Sequence, residues 1–154
     1  MECIKLFILP AEKKGITLQL NAKDNIMAYG DQEMINTVMR NLLDNAIKYS
    51  NSGQTVELDI KAEEDLIRVA VRDQGVGIQE VDLNGLFNLA SQSVSRGTGG
   101  EKGTGLGLII CKEFVEKNGG KLIVKSEPGR GSTFSFYLQP GKSKSHHRDI
   151  SDFL

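Results

Sequence analysis

The chain predicts a two-layer α/β (α+β) sandwich: a mixed, mostly antiparallel sheet covered on one face by helices. Three observations carry that expectation. Apolar residues fall at helical spacing in a long helix, alternate with polar ones in three stretches (16–20, 56–60 and 66–71), and the predicted elements occur in the order strand, helix, strand, strand, helix, strand, strand. A length of 154 residues with 39% apolar side chains suits one such domain rather than two.

Residues 1–15 read as a short helix ended by Pro10 or as a linker remnant, with 1–13 taken as the linker. Ile16-Thr-Leu-Gln-Leu20 alternates as a strand, and a weaker strand covers Ile26 to Tyr29. Asp31 is a good N-cap for the helix that follows. Met34, Val38, Leu42 and Ala46 lie beside Ile35, Met39, Leu43 and Ile47 as two i,i+4 stripes, and the turn chemistry of Ser50-Asn-Ser-Gly53 stops the run near Tyr49. Val56–Ile60 and Leu66–Val71 alternate on either side of the charged turn Glu63-Glu64-Asp65, which predicts antiparallel neighbours. About 25 residues rich in Ser, Gly and Asn follow Gly77, a length that suits a functional lid better than a passive connection. A second helix runs from Leu106 to Lys117 and ends at Asn118-Gly119-Gly120. Leu122–Val124 and Thr133–Leu138 pair around Glu127-Pro-Gly-Arg-Gly131, and from Gly141 the polar tail is expected to be disordered.

Composition excludes several classes. Nineteen basic residues against 20 acidic ones give a net charge of −1, so neither nucleic acid nor an anionic membrane is an expected partner. No apolar run approaches the ~18 residues of a membrane span, and Met1–Pro10 lacks the basic leader and cleavage site of a signal peptide, so a cytoplasmic location is expected. Cys3 and Cys111 have no metal-like spacing and read as small buried or incidental residues.

Three stretches could carry chemistry. Asn41, Asn45 and Lys48 stand at i, i+4 and i+7, one narrow face of the first long helix. They read either as a solvated stripe or as a carboxamide oxygen for Mg²⁺ beside an ammonium for phosphate, with the aromatic Tyr49 next in sequence. Asp73-Gln-Gly-Val-Gly77 reads either as a strand-ending turn or as an acceptor for an exocyclic amine, with Gly75 and Gly77 letting backbone approach a ring. Gly103-Thr-Gly-Leu-Gly107 opens the second helix. Its alternating glycines would expose backbone N–H groups where phosphate binds, or form a flexible hinge. Neither a P-loop nor a Gly-x-Gly-x-x-Gly signature occurs.

Taken together, Asn41-Leu-Leu-Asp-Asn-Ala-Ile-Lys-Tyr-Ser50, Asp73-Gln-Gly-Val-Gly-Ile78 and Gly103-Thr-Gly-Leu-Gly-Leu108 resemble the N, G1 and G2 boxes of the sensor histidine kinase ATP-binding domain. That domain belongs to the wider gyrase, chaperone, kinase and mismatch-repair (GHKL) superfamily. The resemblance covers residues 14–140 and implies Mg-ATP held between the first long helix and an ATP lid. By residue, it implies Asn45 as the Mg²⁺ ligand, Asn41 supporting it, Lys48 on phosphate and Tyr49 near the nucleoside. It also implies Asp73 on adenine, with Gly75, Gly77 and Ile78 in its box. The amides of Gly103, Thr104, Gly105, Leu106, Gly107 and Leu108 would then hold phosphates, with Ser132 near adenine. Lys102 and Arg96 are candidate γ-phosphate contacts.

The implied reaction is autophosphorylation of a histidine on a helical-bundle domain, followed by transfer to a response-regulator receiver domain. The expected fragment is a monomer without the phosphoacceptor, since His146 and His147 lie in the tail, and the full-length protein could be membrane-anchored. Two departures are visible: Phe87 is followed by Ala90 where a second Phe is common, and no phosphoacceptor motif occurs, His146 and His147 in the tail being the only histidines. Set against the ATPases of the superfamily, Asn41 stands where they place a glutamate base, so the resemblance implies slow hydrolysis and favours the kinase. The alternatives are a catalytically silent nucleotide-binding module and a GHKL serine kinase.

Overall fold

The computed structural model describes residues 2–22, 26–88, 97–101, 105–141 and 148–149. The elements in chain order are α1 (Glu2–Lys13), β1 (Thr17–Ala22), β2 (Met27–Tyr29), α2 (Gln32–Tyr49), β3 (Thr55–Glu63) and β4 (Leu66–Asp73). They continue with α3 (Glu80–Leu83), α4 (Gly107–Lys117), β5 (Leu122–Glu127), β6 (Gly131–Pro140) and β7 (Arg148–Asp149). The strands form one mixed sheet of order β1-β3-β4-β6-β2-β7, with β5 also paired to β6. β1–β3 is parallel and the other pairings are antiparallel, as expected for a mixed, mostly antiparallel sheet.

Register explains the core. Leu58 faces Val71 and Ile60 faces Val69, while Val69, Val71 and Ile67 face Phe136, Phe134 and Leu138 across the next pairing. Because side chains alternate along a strand, these residues share the sheet face beneath α2 and α4. There they meet Ile35, Val38, Met39, Leu42 and Leu43 of α2 and Cys111 and Val115 of α4, all buried. Each such side chain contributes roughly 1.5–3 kcal/mol by leaving water. The same alternation places Asp73 in phase with Val69 and Val71, and Ser132 in phase with Phe134 and Phe136. Two polar side chains therefore end the apolar face where β4 finishes and β6 begins.

Helix ends follow local chemistry. Asp31 caps α2 by accepting a 2.9 Å bond from the Met34 amide, as its position before the apolar stripes predicts. Asn118, Gly119 and Gly120 end α4, with the Gly119 amide on the Glu116 carbonyl at 2.9 Å and the Gly120 amide on the Val115 carbonyl at 3.0 Å. Gly119 takes a φ of 72°, the left-handed conformation this ending requires.

Two expectations are corrected, and one element is new. α1 does not stop at Pro10 but runs through it to Lys13. Its end is set by Gly15 (φ 70°), with the Ile16 amide on the Ala11 carbonyl at 2.8 Å, the same kind of stop as in α4. Ile4 and Ala11 of α1 are buried in the common core, which offsets the backbone bond that proline forfeits. Past Gly141 the tail is not wholly irregular, since Arg148–Asp149 pairs with Met27 and Ala28 as β7. α3 was not anticipated, being four residues long with none buried. Among the described residues no helix is long and apolar enough to cross a membrane.

Candidate functional site

The ends of β4, β6 and α2 and the start of α4 converge, and this convergence brings the sequence-selected residues together. At its sheet end, Asp73 is buried and its Oδ1 accepts the Gly75 amide at 2.8 Å and the Ser132 amide at 3.2 Å. Burial pushes the Asp73 carboxyl above its ordinary value, opposed by the two amides that favour the charged form. Both bonds fall on one oxygen, so Oδ2 is the acceptor left for a ligand donor.

Glycines here are required by space. A Cβ on Gly75 would overlap the Tyr49 carbonyl, one on Gly77 the Glu127 carbonyl, and one on Gly131 the Asp73 carbonyl. The turn after β4 is thereby pressed between the end of α2 and the β5–β6 turn, with the Val76 amide on the Tyr49 carbonyl at 3.2 Å and the Gly129 amide on the Val76 carbonyl at 2.8 Å. The Ile78 amide donates to Ser126 Oγ at 2.8 Å, and Ser126 Oγ lies 2.9 Å from Ser132 Oγ. Ser132 thus serves Asp73 through its backbone, while its hydroxyl is tied to Ser126.

At the helical end, Asn41 Nδ2 donates to the Thr37 carbonyl at 2.9 Å. Its Oδ1 points at the start of α4, where a Cβ on Gly107 would stand 2.7 Å away. Asn45, one turn on, is half-buried and has no side-chain hydrogen bond among the described residues. Lys48 is 7% exposed, and its ammonium lies 5.0 Å from the centroid of the Tyr49 ring. Among the described residues no carboxylate pairs with it, and the Tyr49 ring face lies beside this buried cation. A ligand anion is the natural complement. Gly105 (φ 72°) and exposed Leu106 lead into α4, whereas Leu108 packs against the core.

Lys102, Gly103 and Thr104, like Arg96, Ala90 and the tail histidines, lie outside the described residues. Phe87 is half-buried against the core with Lys112 Nζ 5.9 Å from its ring centroid. Cys111 is fully buried, and burial pushes its thiol up to about 12. Sequence reasoning missed Lys14, Thr98, Glu101 and Ser126, whose hydrogen bonds tie loops to the site. The glycine cluster around Thr98 was a signal for the loop but gave no hint of its partners.

The donor set admits a magnesium ion with few protein ligands. No group of three or more His, Cys, Asp or Glu capable of enclosing a metal exists among the described residues, and Asn45 offers one unengaged carboxamide oxygen. Such an ion keeps most of its waters, so a single neutral protein oxygen fits it.

Comparison with known proteins identifies the family. Residues 30–142 match the family described as histidine kinase-, DNA gyrase B- and HSP90-like ATPase. The chain is 40% identical over 136 residues to hybrid signal transduction histidine kinase B of Dictyostelium discoideum, covering 84% of this chain and 7% of that protein. It is 34% identical over 151 residues to the sensor-like histidine kinase SenX3 of Mycobacterium tuberculosis, covering 96% and 36%. The chain therefore spans about a third or less of the length of these relatives. Among solved structures, the catalytic domain of histidine kinase ThkA superposes with a TM-score of 0.77 at 26% identity, covering 90% of this chain and 88% of that one. The mycobacterial sensor histidine kinase MprB gives 0.74 at 26%, covering 90% and 94%. The chain therefore belongs to the histidine kinase-, DNA gyrase B- and HSP90-like ATPase family, as an ATP-binding domain of the sensor histidine kinase type.

Proposed function

We propose that the chain binds Mg-ATP between α2 and the glycine-led start of α4 and donates the γ-phosphate to a histidine on a helical-bundle domain, for two-component signalling. The observation that carries the reading is Asp73, a buried carboxylate at the end of the apolar sheet face whose Oδ1 is fixed by two amides. Its other oxygen is suited to accept the exocyclic amine of adenine in a slot that Gly75 and Gly77 keep free of side chains. Lys48 then meets phosphate charge, and the Gly107 backbone at the head of α4 is the described part of the glycine-rich turn that would face phosphate oxygens. Lys102, Gly103 and Thr104 join that group by sequence. Asn45 would hold the magnesium ion, which when bound neutralises phosphate charge.

Asn41 keeps its neighbour in place through α2 and cannot take a proton as a general base, so attack by water is unassisted. The acceptor's ring nitrogen instead forms the new P–N bond as the bond from the γ-phosphorus to the β,γ-bridging oxygen breaks. ADP leaves and the imidazole proton is lost to solvent. A receiver aspartate on a response regulator is the onward acceptor. The ATP-binding unit on this reading is 14–140 with α1 packed into its core, acting as a monomer in the cytoplasm without membrane or nucleic-acid contact of its own.

The test is calorimetric titration with a non-hydrolysable ATP analogue and Mg²⁺, then incubation with radiolabelled ATP and a supplied histidine-bearing bundle. Acid-labile label on the bundle is expected. Acid-stable label would indicate a serine kinase, and binding without label a silent module.

A further inference from the structure

Residues 97–101, which lead into the glycine-rich start of α4, are held to the end of α2 by a set of polar bonds centred on Lys14, immediately after α1. Lys14 Nζ donates to the Ile47 carbonyl at 3.0 Å, the Lys48 carbonyl at 2.7 Å and Glu101 Oε1 at 2.8 Å. Three acceptors match the three donors of an ammonium. Two of them are carbonyls left without intrahelical partners at a helix C-terminus, where the helix dipole favours a cation. The Lys48 carbonyl also accepts the Thr98 amide at 3.0 Å, and Thr98 Oγ1 donates to the Ser50 carbonyl at 2.6 Å.

Glu101 turns the ammonium's grip back on the loop. Its Oε2 accepts the Gly99 amide at 2.9 Å, and its carbonyl accepts the Gly97 amide at 2.9 Å. The bond from Lys14 holds the Glu101 carboxyl below its ordinary range. Gly97 sits so close to α2 that a Cβ there would stand 2.5 Å from Lys48 Cγ and 2.8 Å from the Lys48 carbonyl. The same residue, Lys48, thus receives the loop on its backbone and presents its ammonium to the phosphate end of the cleft.

We infer that Lys14 is a positioning residue for nucleotide binding: with Glu101 it fixes the 97–101 loop against the C-terminus of α2 and so sets both the Lys48 side chain and the chain entering the glycine-rich turn. The inference rests on the proposed nucleotide site. Its structural half can be read without nucleotide, which keeps the two failures apart.

The experiment compares the wild-type chain with Lys14→Met, Lys14→Arg, Glu101→Gln and the Lys14→Met/Glu101→Gln double variant. Amide hydrogen exchange at residues 97–100 is followed in the absence of nucleotide, and affinity for a non-hydrolysable ATP analogue with Mg²⁺ is measured by calorimetry. Lys14→Met should speed exchange of the Gly97, Thr98 and Gly99 amides and weaken nucleotide binding about fivefold, with Glu101→Gln about twofold because its carboxylate is largely solvated. The double variant should be no weaker than Lys14→Met alone, and Lys14→Arg should recover most of the affinity.

Exchange left unchanged by both single variants overturns the anchor. Faster exchange at unchanged nucleotide affinity, or additive losses in the double variant, overturns the positioning role. A wild-type chain that binds no nucleotide overturns the proposed function instead, and Glu101→Gln, altering an exposed side chain, supplies the exchange comparison should Lys14→Met fail to fold.

Discussion

The two ends of the cleft are built by different means. The sheet end consists of Asp73, Gly75, Gly77, Gly131 and Ser132, where strand register fixes the carboxylate and three glycines stand against backbone carbonyls with no room for a methyl group. The helical end consists of Asn41, Asn45, Lys48 and Gly105–Gly107, held by a helix terminus, a ring face and side-chain bonds to a loop. The contrast suits a ligand with one invariant, flat, neutral group and one charged, flexible, reacting group. Fixed geometry serves recognition of the first, and adjustable geometry serves handling of the second.

The largest expected effect breaks the sheet end. Gly131→Ala drives a methyl into the Asp73 carbonyl at a φ of 98°, and should cost about 3 kcal/mol or more of stability in urea denaturation, with nucleotide binding lost. A variant as stable as wild type would show the glycines to be incidental. Next, Asp73→Ala should weaken binding of ATP and of adenosine alike by about a hundredfold, the ~3 kcal/mol of a charge-assisted hydrogen bond in a buried site. Lys48→Met should separate the two ends: about tenfold weaker for ATP and unchanged for adenosine, as titrations with both ligands would reveal. Equal losses for the two would mean that Lys48 supports the pocket as a whole.

A subtler effect follows from pH. Burial raises the Asp73 pKa above the ordinary 3.8 in the folded protein, so between that value and the raised one the folded state binds more protons than the unfolded state. The contribution of Asp73 to stability is therefore greatest at low pH and declines as pH rises through the folded pKa. Asp73→Asn should flatten this decline, seen as a smaller difference between denaturation midpoints at pH 4 and pH 7 than in wild type. The smallest effect is remote from the cleft: Asp31→Ala removes the α2 cap and should cost ~1 kcal/mol in thermal denaturation without altering affinity for adenosine.

Much of this architecture was legible along the chain because its causes are local. The stripes from Met34 to Ile47 could form only one amphipathic helix, and the alternation in Val56–Ile60 and Leu66–Val71 fixed which residues face inward. Asp73 was found by its place before Gly75 and Gly77, and its burial follows from continuing the phase of Val69 and Val71. What stayed hidden depends on partners distant in sequence. The first segment reads as a helix ended by Pro10 or as a linker because the stabilising burial of Ala11 and the ending at Gly15 involve packing that no helix pattern reports. The Lys14–Glu101 bridge spans 87 positions, and neither residue stands out among the chain's many charges. The β7 strand is two residues long and owes its existence to the edge of β2.

The separations that hid these contacts also order the events of folding. Three of the antiparallel pairings, β3–β4, β5–β6 and β4–β6, include two made between successive strands, whose short loops close at little entropic cost. The cleft, by contrast, draws Asp73 to Ser132 across 59 positions and Thr98 to Ser50 across 48. It can be complete only when closures much longer than those of the hairpins have been made. A chain arrested with its hairpins formed would have the secondary structure of the native protein and no nucleotide site, so ligand occupancy reports finished assembly and, by mass action, favours the finished state.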